Sequence, residues 1–287
     1  MADLSSLLEA RYGTASSGST DTPVIPTAVN STLKTLLQHK SIRDFLPDPL
    51  APGTLELLTA AAQSAATSSN LQTWSAVAIT TPSLKSQVAI LCANQAFIHA
   101  APLLLIFCAD LARLTTVCAQ HDTPGTGLEF LEMYTMAVID ASVAAQNVCV
   151  AAESLGLGTC YVGAARNRAR ELASLLSLPS RVVALFGLAV GRPNPEAPPA
   201  AVKPRLPQDE VLHRETWGQS RDGSQQQEKQ TNLETYDEIL ADFNEKQGRG
   251  DAPSWTYRSA HRIATVESLH GRDVFREVLE ERGFELR

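Results

Sequence analysis

The sequence predicts an α+β fold, on three observations. Apolar residues recur at helical spacing in some segments and run unbroken over strand lengths in others, in irregular order. The stretch "APLLLIFCAD" has no polar face, so it reads as a central strand covered on both sides. The phosphate loops that mark doubly wound sheets, GxGxxG and GxxxxGK[ST], do not occur in the chain.

Residues 1–29 open with a short amphipathic piece carrying Leu4, Leu7 and Leu8, then become rich in Gly, Ser, Thr and Pro. They read as a partly flexible extension whose removal is expected to leave the rest intact. "NSTLKTLLQHK" places Leu33, Leu36 and Leu37 at helical spacing, with Asn30 or Ser31 as cap. "PGTLELLTAAAQSA" predicts a second helix with Leu55, Leu58, Ala61 and Ala62 on one face. "WSAVAITT" is a strand, and "SLKSQVAILC" a helix between it and "APLLLIFCAD". A long helix is expected from about Leu128 to Leu155, stopped at Gly156. "TCYVGA" and "VVALFGLAVG" supply two more strands around the helix "NRARELASLLS". Beyond a Pro-rich stretch come the polar "GQSRDGSQQQEKQTN", the helix "ETYDEILADFNEK", the loop "QGRGDAPSW" and a last helix, "DVFREVLEERG". The last of these is expected to bury Val274, Val278 and Leu279 and to end at Gly283. Domain boundaries are expected at 1–29, 30–217 and 218–287.

A chain of 287 residues with 44% hydrophobic and 19% charged residues belongs to the globular class. Its net charge is -7 and its cations are dispersed, which argues against a nucleic-acid or anionic-membrane partner. Five cysteines without CxxC spacing suit free thiols in a reducing, cytoplasmic setting and give no zinc pattern, and no metal site is expected. The start of the chain lacks the pattern of a secretory signal. The most apolar region, "MYTMAVIDASVAAQNVCVAAESLG", is interrupted by Asp140, Gln146, Asn147 and Glu153, and reads as a buried helix. His99 reads as a core histidine, Trp74 as core, Cys160 as a packing thiol and Glu153 as a helix-surface charge.

No GxSxG elbow occurs, and nothing in the spacing sets a base beside a nucleophile. Two cationic clusters stand out: His39, Lys40 and Arg43 in "HKSIRDF", and Lys203 with Arg205 in "VKPRLP". Alternation along an extended backbone puts Lys203 and Arg205 on one side. Together the clusters suit a phosphate, which Arg meets with a planar fork and Lys with a point charge.

"HKSIRDF", "ATSSNLQ", "AESLGLGTCYVGAARN", "LFGLAVGRP" with "VKPRLP", and "YDEILADF" resemble, in that order, the FMN-dependent nitroreductase family. The likeness is to its NADPH-linked branch, which holds oxygen-insensitive nitroreductases and NADPH-flavin oxidoreductases, and it runs from about Leu36 to the C-terminus. It implies a nitroreductase-like fold, a central mostly antiparallel sheet flanked by helices, in an intertwined homodimer. It also implies tightly bound FMN, with NADPH as co-substrate and a nitroaromatic, quinone or free flavin as acceptor. The chemistry would be carried by the flavin rather than by a catalytic side chain. Residue by residue, it assigns His39, Lys40, Ser41 and Arg43 to FMN, the cations on the phosphate and Arg43 near the pyrimidine edge. Thr67, Ser68 and Ser69 would bond the phosphate or line the substrate side, with Asn70 and Gln72 in the same loop. Gln95 would contact the flavin or its ribityl chain. Tyr161, Val162, Gly163 and Ala164 would lie along the ring, and Lys203 and Arg205 would form the second phosphate clamp. Lys246 and Arg249 are expected to reach the NADPH 2′-phosphate, and Ser69 and Asn70 the substrate. The family usually has Arg at Lys40, Gly at Ala164 and a cation at Ser268, where His270 or Arg272 are the nearby substitutes. Another flavin reaction of the same fold, dehalogenation or dehydrogenation, and a non-enzymatic FMN carrier are the alternatives.

Overall fold

The computed structural model describes residues 4–13, 30–218 and 227–287. Helices α1 (Leu4–Tyr12), α2 (Ser31–Gln38) and α3 (Thr54–Gln63) precede strand β1 (Trp74–Ile79). Helices α4 (Pro82–Leu91) and α5 (Ala96–Ala100) lead to β2 (Leu103–Asp110). Next come α6 (Ala112–Gln120), α7 (Leu131–Ser154), β3 (Gly158–Val162), α8 (Ala169–Leu175) and β4 (Val182–Gly191). Helices α9 (Gln208–Val211), α10 (Gln227–Lys246), α11 (Trp255–Arg262) and α12 (Phe275–Glu281) complete the chain.

These elements form two compact units, each discontinuous in sequence. The larger, Ser41–Pro199 with Leu269–Arg287, is built on an antiparallel sheet in the order β1-β2-β4-β3. All eight residues of β2 are buried, as its unbroken apolar run predicts for an inner strand. Ala144, Ala145, Val148 and Ala152 of α7 cover one sheet face, against Leu103, Leu105, Phe107 and Leu188. Alanines there let the helix backbone approach the strands closely. Leu104, Ile106 and Ala189 point to the other face, toward Val88, Ile98 and Leu172. Each Leu, Ile or Phe buried this way contributes about 1.5–3 kcal/mol. By length and composition α7 could cross a bilayer, yet eight of its residues, Asp140 among them, are buried within this unit. The chain leaves α7 through Gly156 at φ 76°, the expected left-handed stop. In α12, Val278 and Leu279 are buried, and Gly283 has φ 85°.

The smaller unit joins Met1–Lys40 to Ala200–Ser268. Helix α2 is capped by Asn30, whose Oδ1 accepts from the Leu33 N–H at 2.9 Å. Leu33 and Leu36, which fall at helical spacing, are 45% and 42% exposed. Periodicity marks an apolar stripe but not what covers it. Helix α1 is held in this unit through buried Leu7 and Arg11. It ends at Gly13 (φ 72°), where a Cβ would lie 3.1 Å from Ile239 of α10. Asp237 of α10 accepts from the Thr256 N–H (3.1 Å) and hydroxyl, and Tyr236 meets Trp255 edge-on at 5.6 Å. The rest of the N-terminal extension, 14–29, and residues 219–226 of the polar stretch lie outside the described residues.

Helices α5, α6, α9 and α11 are not legible in the hydrophobic pattern. In α6, Thr115 and Thr116 bond back to the carbonyls of Leu111 and Ala112, local support that apolar periodicity does not register. Helix α11 starts on a Ser254 cap that accepts from the Tyr257 N–H. His99 is not a core histidine: it is exposed and its Nε2 lies 2.9 Å from Asn94 Oδ1. Glu153 is half-buried, accepting from the Thr159 hydroxyl at 3.2 Å, because α7 turns it toward β3. Trp74 packs on Phe107 as expected.

Candidate functional site

In the larger unit, the segment Ser41–Phe45 is stitched to the sheet. Ser41 pairs with Thr159, the Ile42 N–H donates to the Thr159 carbonyl (2.8 Å), and Phe45 pairs with Pro193. The approach is close enough that a Cβ on Gly158 would lie 2.7 Å from Ile42. That glycine is required by packing, whatever the ligand. Arg43 is exposed, and its guanidinium is near enough to β3 to lower the Cys160 thiol pKa, against the larger upward push of burial. Tyr161 is 38% exposed, its ring edge-on to Phe186, and Gly163 and Ala164 follow in a half-buried 3-10 turn. Val162 is buried. The strip from Tyr161 to Ala164 and Arg43 are therefore neighbours of one strand end.

The loop after α3 is fixed by a residue the sequence marked only as an interruption. Asp140 of α7, 2% exposed, accepts from the Thr67 hydroxyl (2.6 Å), the Ser68 N–H (3.3 Å), the Thr73 N–H (3.1 Å) and the Thr73 hydroxyl (2.9 Å). Thr67 also accepts from the Gln72 N–H at 2.9 Å, so its hydroxyl is engaged on both sides within the loop. Ser68, Ser69 and Asn70 form a 3-10 turn and are exposed, with Ser69, Asn70 and Gln72 at positive φ. Holding three non-glycine residues there needs support from outside the loop, and Asp140 supplies it. Gln95 stands at the N-cap position of α5, where its side chain makes no capping bond and its Nε2 donates instead to the Cys92 carbonyl at 3.0 Å. Arg272 is held by Asn167, Nε to Oδ1 at 2.7 Å.

The smaller unit contains His39, Lys40, Lys203 and Arg205. Lys40, Lys203 and Arg205 are exposed, and His39 is half-buried. Both clusters meet at Arg11. Its Nη2 donates to the His39 carbonyl (2.8 Å) and its Nη1 to the Lys203 carbonyl (3.1 Å), while the Arg205 N–H donates to the Arg11 carbonyl (2.8 Å). Lys203 and Arg205 also line a cavity of about 530 Å³ with Tyr12, Tyr236, Trp255 and Arg258. The Tyr236 hydroxyl donates to the Pro204 carbonyl, fixing the loop between the two cations. Lys246 is exposed and ion-paired with Asp242 at 2.6 Å, which raises its pKa. Arg249 is exposed in the turn after α10, and among the described residues no side-chain partner holds it. Ser268 donates to the Thr265 carbonyl and His270 is exposed at φ 56°.

The nitroreductase family profile matches residues 36–192, and that of the family's C-terminal domain matches 203–287. The chain belongs to the nitroreductase family. Among nitroreductase relatives, it is 35% identical over 223 residues to "FMN reductase (NADPH)" of Bacillus subtilis, covering 77% of this chain and 86% of that one. It is 35% identical over 217 residues to "Oxygen-insensitive NADPH nitroreductase" of Salmonella typhimurium, covering 75% and 83%. The solved structure of the hypothetical oxidoreductase YcnD from Bacillus subtilis superposes with a TM-score of 0.83 at 33% identity, covering 90% of this chain and all of that one.

Sequence reasoning missed three parts of this nitroreductase's candidate site. Asp140 could have been suspected as a carboxylate in an apolar helix, because such a group needs buried donors. Arg258 carries a signal only in hindsight, three residues after Trp255 on α11. Arg11 gave no signal, since it lies in the segment read as an extension.

Proposed function

We propose that this chain is an FMN-dependent NADPH oxidoreductase that passes reducing equivalents to nitroaromatics, quinones or free flavin. The observation that carries the reading is the meeting of two cationic segments, His39–Lys40 and Lys203–Arg205, on the single guanidinium of Arg11. The donor set fits a phosphate dianion: a histidine, two ammonium groups and a guanidinium in one unit, three of them exposed. Charge-assisted bonds of this kind contribute about 1.5–3 kcal/mol each.

Bound FMN would supply the redox chemistry, hydride transfer from NADPH to the acceptor in ping-pong order. The protein's part is to hold and orient. His39, Lys40, Lys203 and Arg205 anchor the phosphate. Tyr161 to Ala164 back the ring, Ser41 and Gln95 add polar contacts, and Arg43 favours negative charge on the pyrimidine edge. The exposed Ser68, Ser69 and Asn70, set by Asp140, face the substrate side. Arg249 recognises the NADPH 2′-phosphate, while Lys246, expected to share that role, is paired with Asp242 and contributes little. The names of the two relatives support FMN and NADPH.

A homodimer fits the larger unit. Ile139 and Val143 on α7 and Leu57 on α3 are 56%, 39% and 54% exposed, apolar surface that a second copy would cover. The partner is a second copy, and light scattering should report twice the 30.9 kDa chain mass. Four buried free thiols support a reducing, cytoplasmic setting.

The deciding experiment is anaerobic addition of NADPH to the purified yellow protein. Bleaching of the flavin band, with colour restored by a nitroaromatic or quinone, is the expected result. A protein that stays yellow under NADPH is a flavin carrier, and the reductase reading falls.

A further inference from the structure

We infer that Arg11 is a positioning residue for the phosphate anchor, a role resting on the FMN reading above. Helix α2 ends at Gln38, and the last carbonyls of any helix lack partners within it. Here Arg11 takes that place. Nε donates to the Leu37 carbonyl (3.1 Å), and Nη2 to those of Leu36 (3.4 Å) and His39 (2.8 Å). Nη1 of the same guanidinium donates to the Lys203 carbonyl at 3.1 Å. A guanidinium is planar and rigid, so its two ends fix the spacing between the His39 and Lys203 backbones. The backbone of Arg11 adds a third link, accepting the Arg205 N–H at 2.8 Å.

Arg11 is 6% exposed and directed at main-chain oxygens. It acts on a phosphate through the residues that it holds. Two consequences follow from its removal. The Lys203 loop would lose its tie to the His39 turn, letting the two cation pairs separate. The carbonyls of Leu37 and His39 would also present their negative ends next to the turn that carries His39 and Lys40, while that of Leu36 keeps the His39 N–H at 3.4 Å. Both effects weaken the hold on a dianion and leave contacts to a neutral ring untouched. The N-terminal helix thus becomes part of the cofactor site, although it lies outside both matched family segments.

The test compares FMN with riboflavin, which lacks the phosphate, by fluorescence titration of full-length apoprotein. In the wild type FMN should bind far more tightly than riboflavin. In Arg11→Ala the FMN dissociation constant should rise about tenfold or more while that for riboflavin stays within about twofold. Arg11→Lys should fall on the alanine side, because one ammonium cannot bridge both carbonyls, and it serves alone if Arg11→Ala does not fold. A variant that keeps the wild-type preference, or weakens both flavins equally, overturns the positioning role and leaves the FMN reading standing. A wild type indifferent to the phosphate overturns the FMN reading itself.

Discussion

The two compact units solve the same problem, holding polar groups in place, by different means. In the larger unit the scaffold is strand register and a dry core, and one buried carboxylate, Asp140, gathers four donors to shape a loop. In the smaller unit a buried cation, Arg11, gathers carbonyls from two segments. The first arrangement shapes the exposed turn Ser68–Asn70, the second the backbones of His39 and Lys203, which carry the proposed anion surface. The contrast teaches that a buried ion of either sign can fix segments that lie far apart in the sequence.

The sharpest way to break that contrast is to remove the anion surface. Lys203→Ala with Arg205→Ala should purify colourless, with FMN affinity reduced at least about a hundredfold, two charge-assisted contacts being lost. Stoichiometric flavin by absorbance would show that the smaller unit does not hold the phosphate.

Next in size is the larger unit's own anchor. Asp140→Ala leaves the Thr67 and Thr73 donors without their acceptor and should destabilise the fold by about 3 kcal/mol in urea titration. Asp140→Asn should fall between, since an amide accepts at one oxygen only. Unchanged midpoints would mean the loop holds itself.

The two cations beyond α10 give a smaller, internal comparison. Arg249→Ala should raise the KM for NADPH about tenfold with little effect on NADH, whereas Lys246→Ala should change either by less than about twofold. Lys246 is committed to Asp242, and Arg249 is not. Equal effects of the two variants would reverse that distinction.

The smallest effect concerns the thiols. Burial pushes Cys92, Cys108 and Cys149 from 9.0 up to about 12. The native state therefore holds protons that the unfolded chain releases. Stability from this source is intact below pH 9 and is lost as pH rises toward about 12. Thermal melts should decline only above that lower limit, and near neutrality only the half-buried Cys118 should react readily with a thiol reagent.

Several elements were readable from pattern alone. The unbroken run of β2, the glycine stop after α7, the Asn30 cap and the four strands follow from local rules that a sequence states directly. So did both cation clusters, because charged side chains in short extended segments are conspicuous. What pattern could not give was the company each residue keeps. Asp140 looked like an interruption, His99 like core, and Arg11 like part of a dispensable extension.

Periodicity and composition determined the four strands and the longer helices, the α+β class and the presence of two basic segments. Only the tertiary structure decided that one guanidinium near the N-terminus joins those segments, and that one carboxylate sets the serine loop. The physical reason is range. Helix and strand preferences depend on neighbours a few positions away, whereas a buried ion finds its partners wherever the fold excludes water, at any distance along the chain.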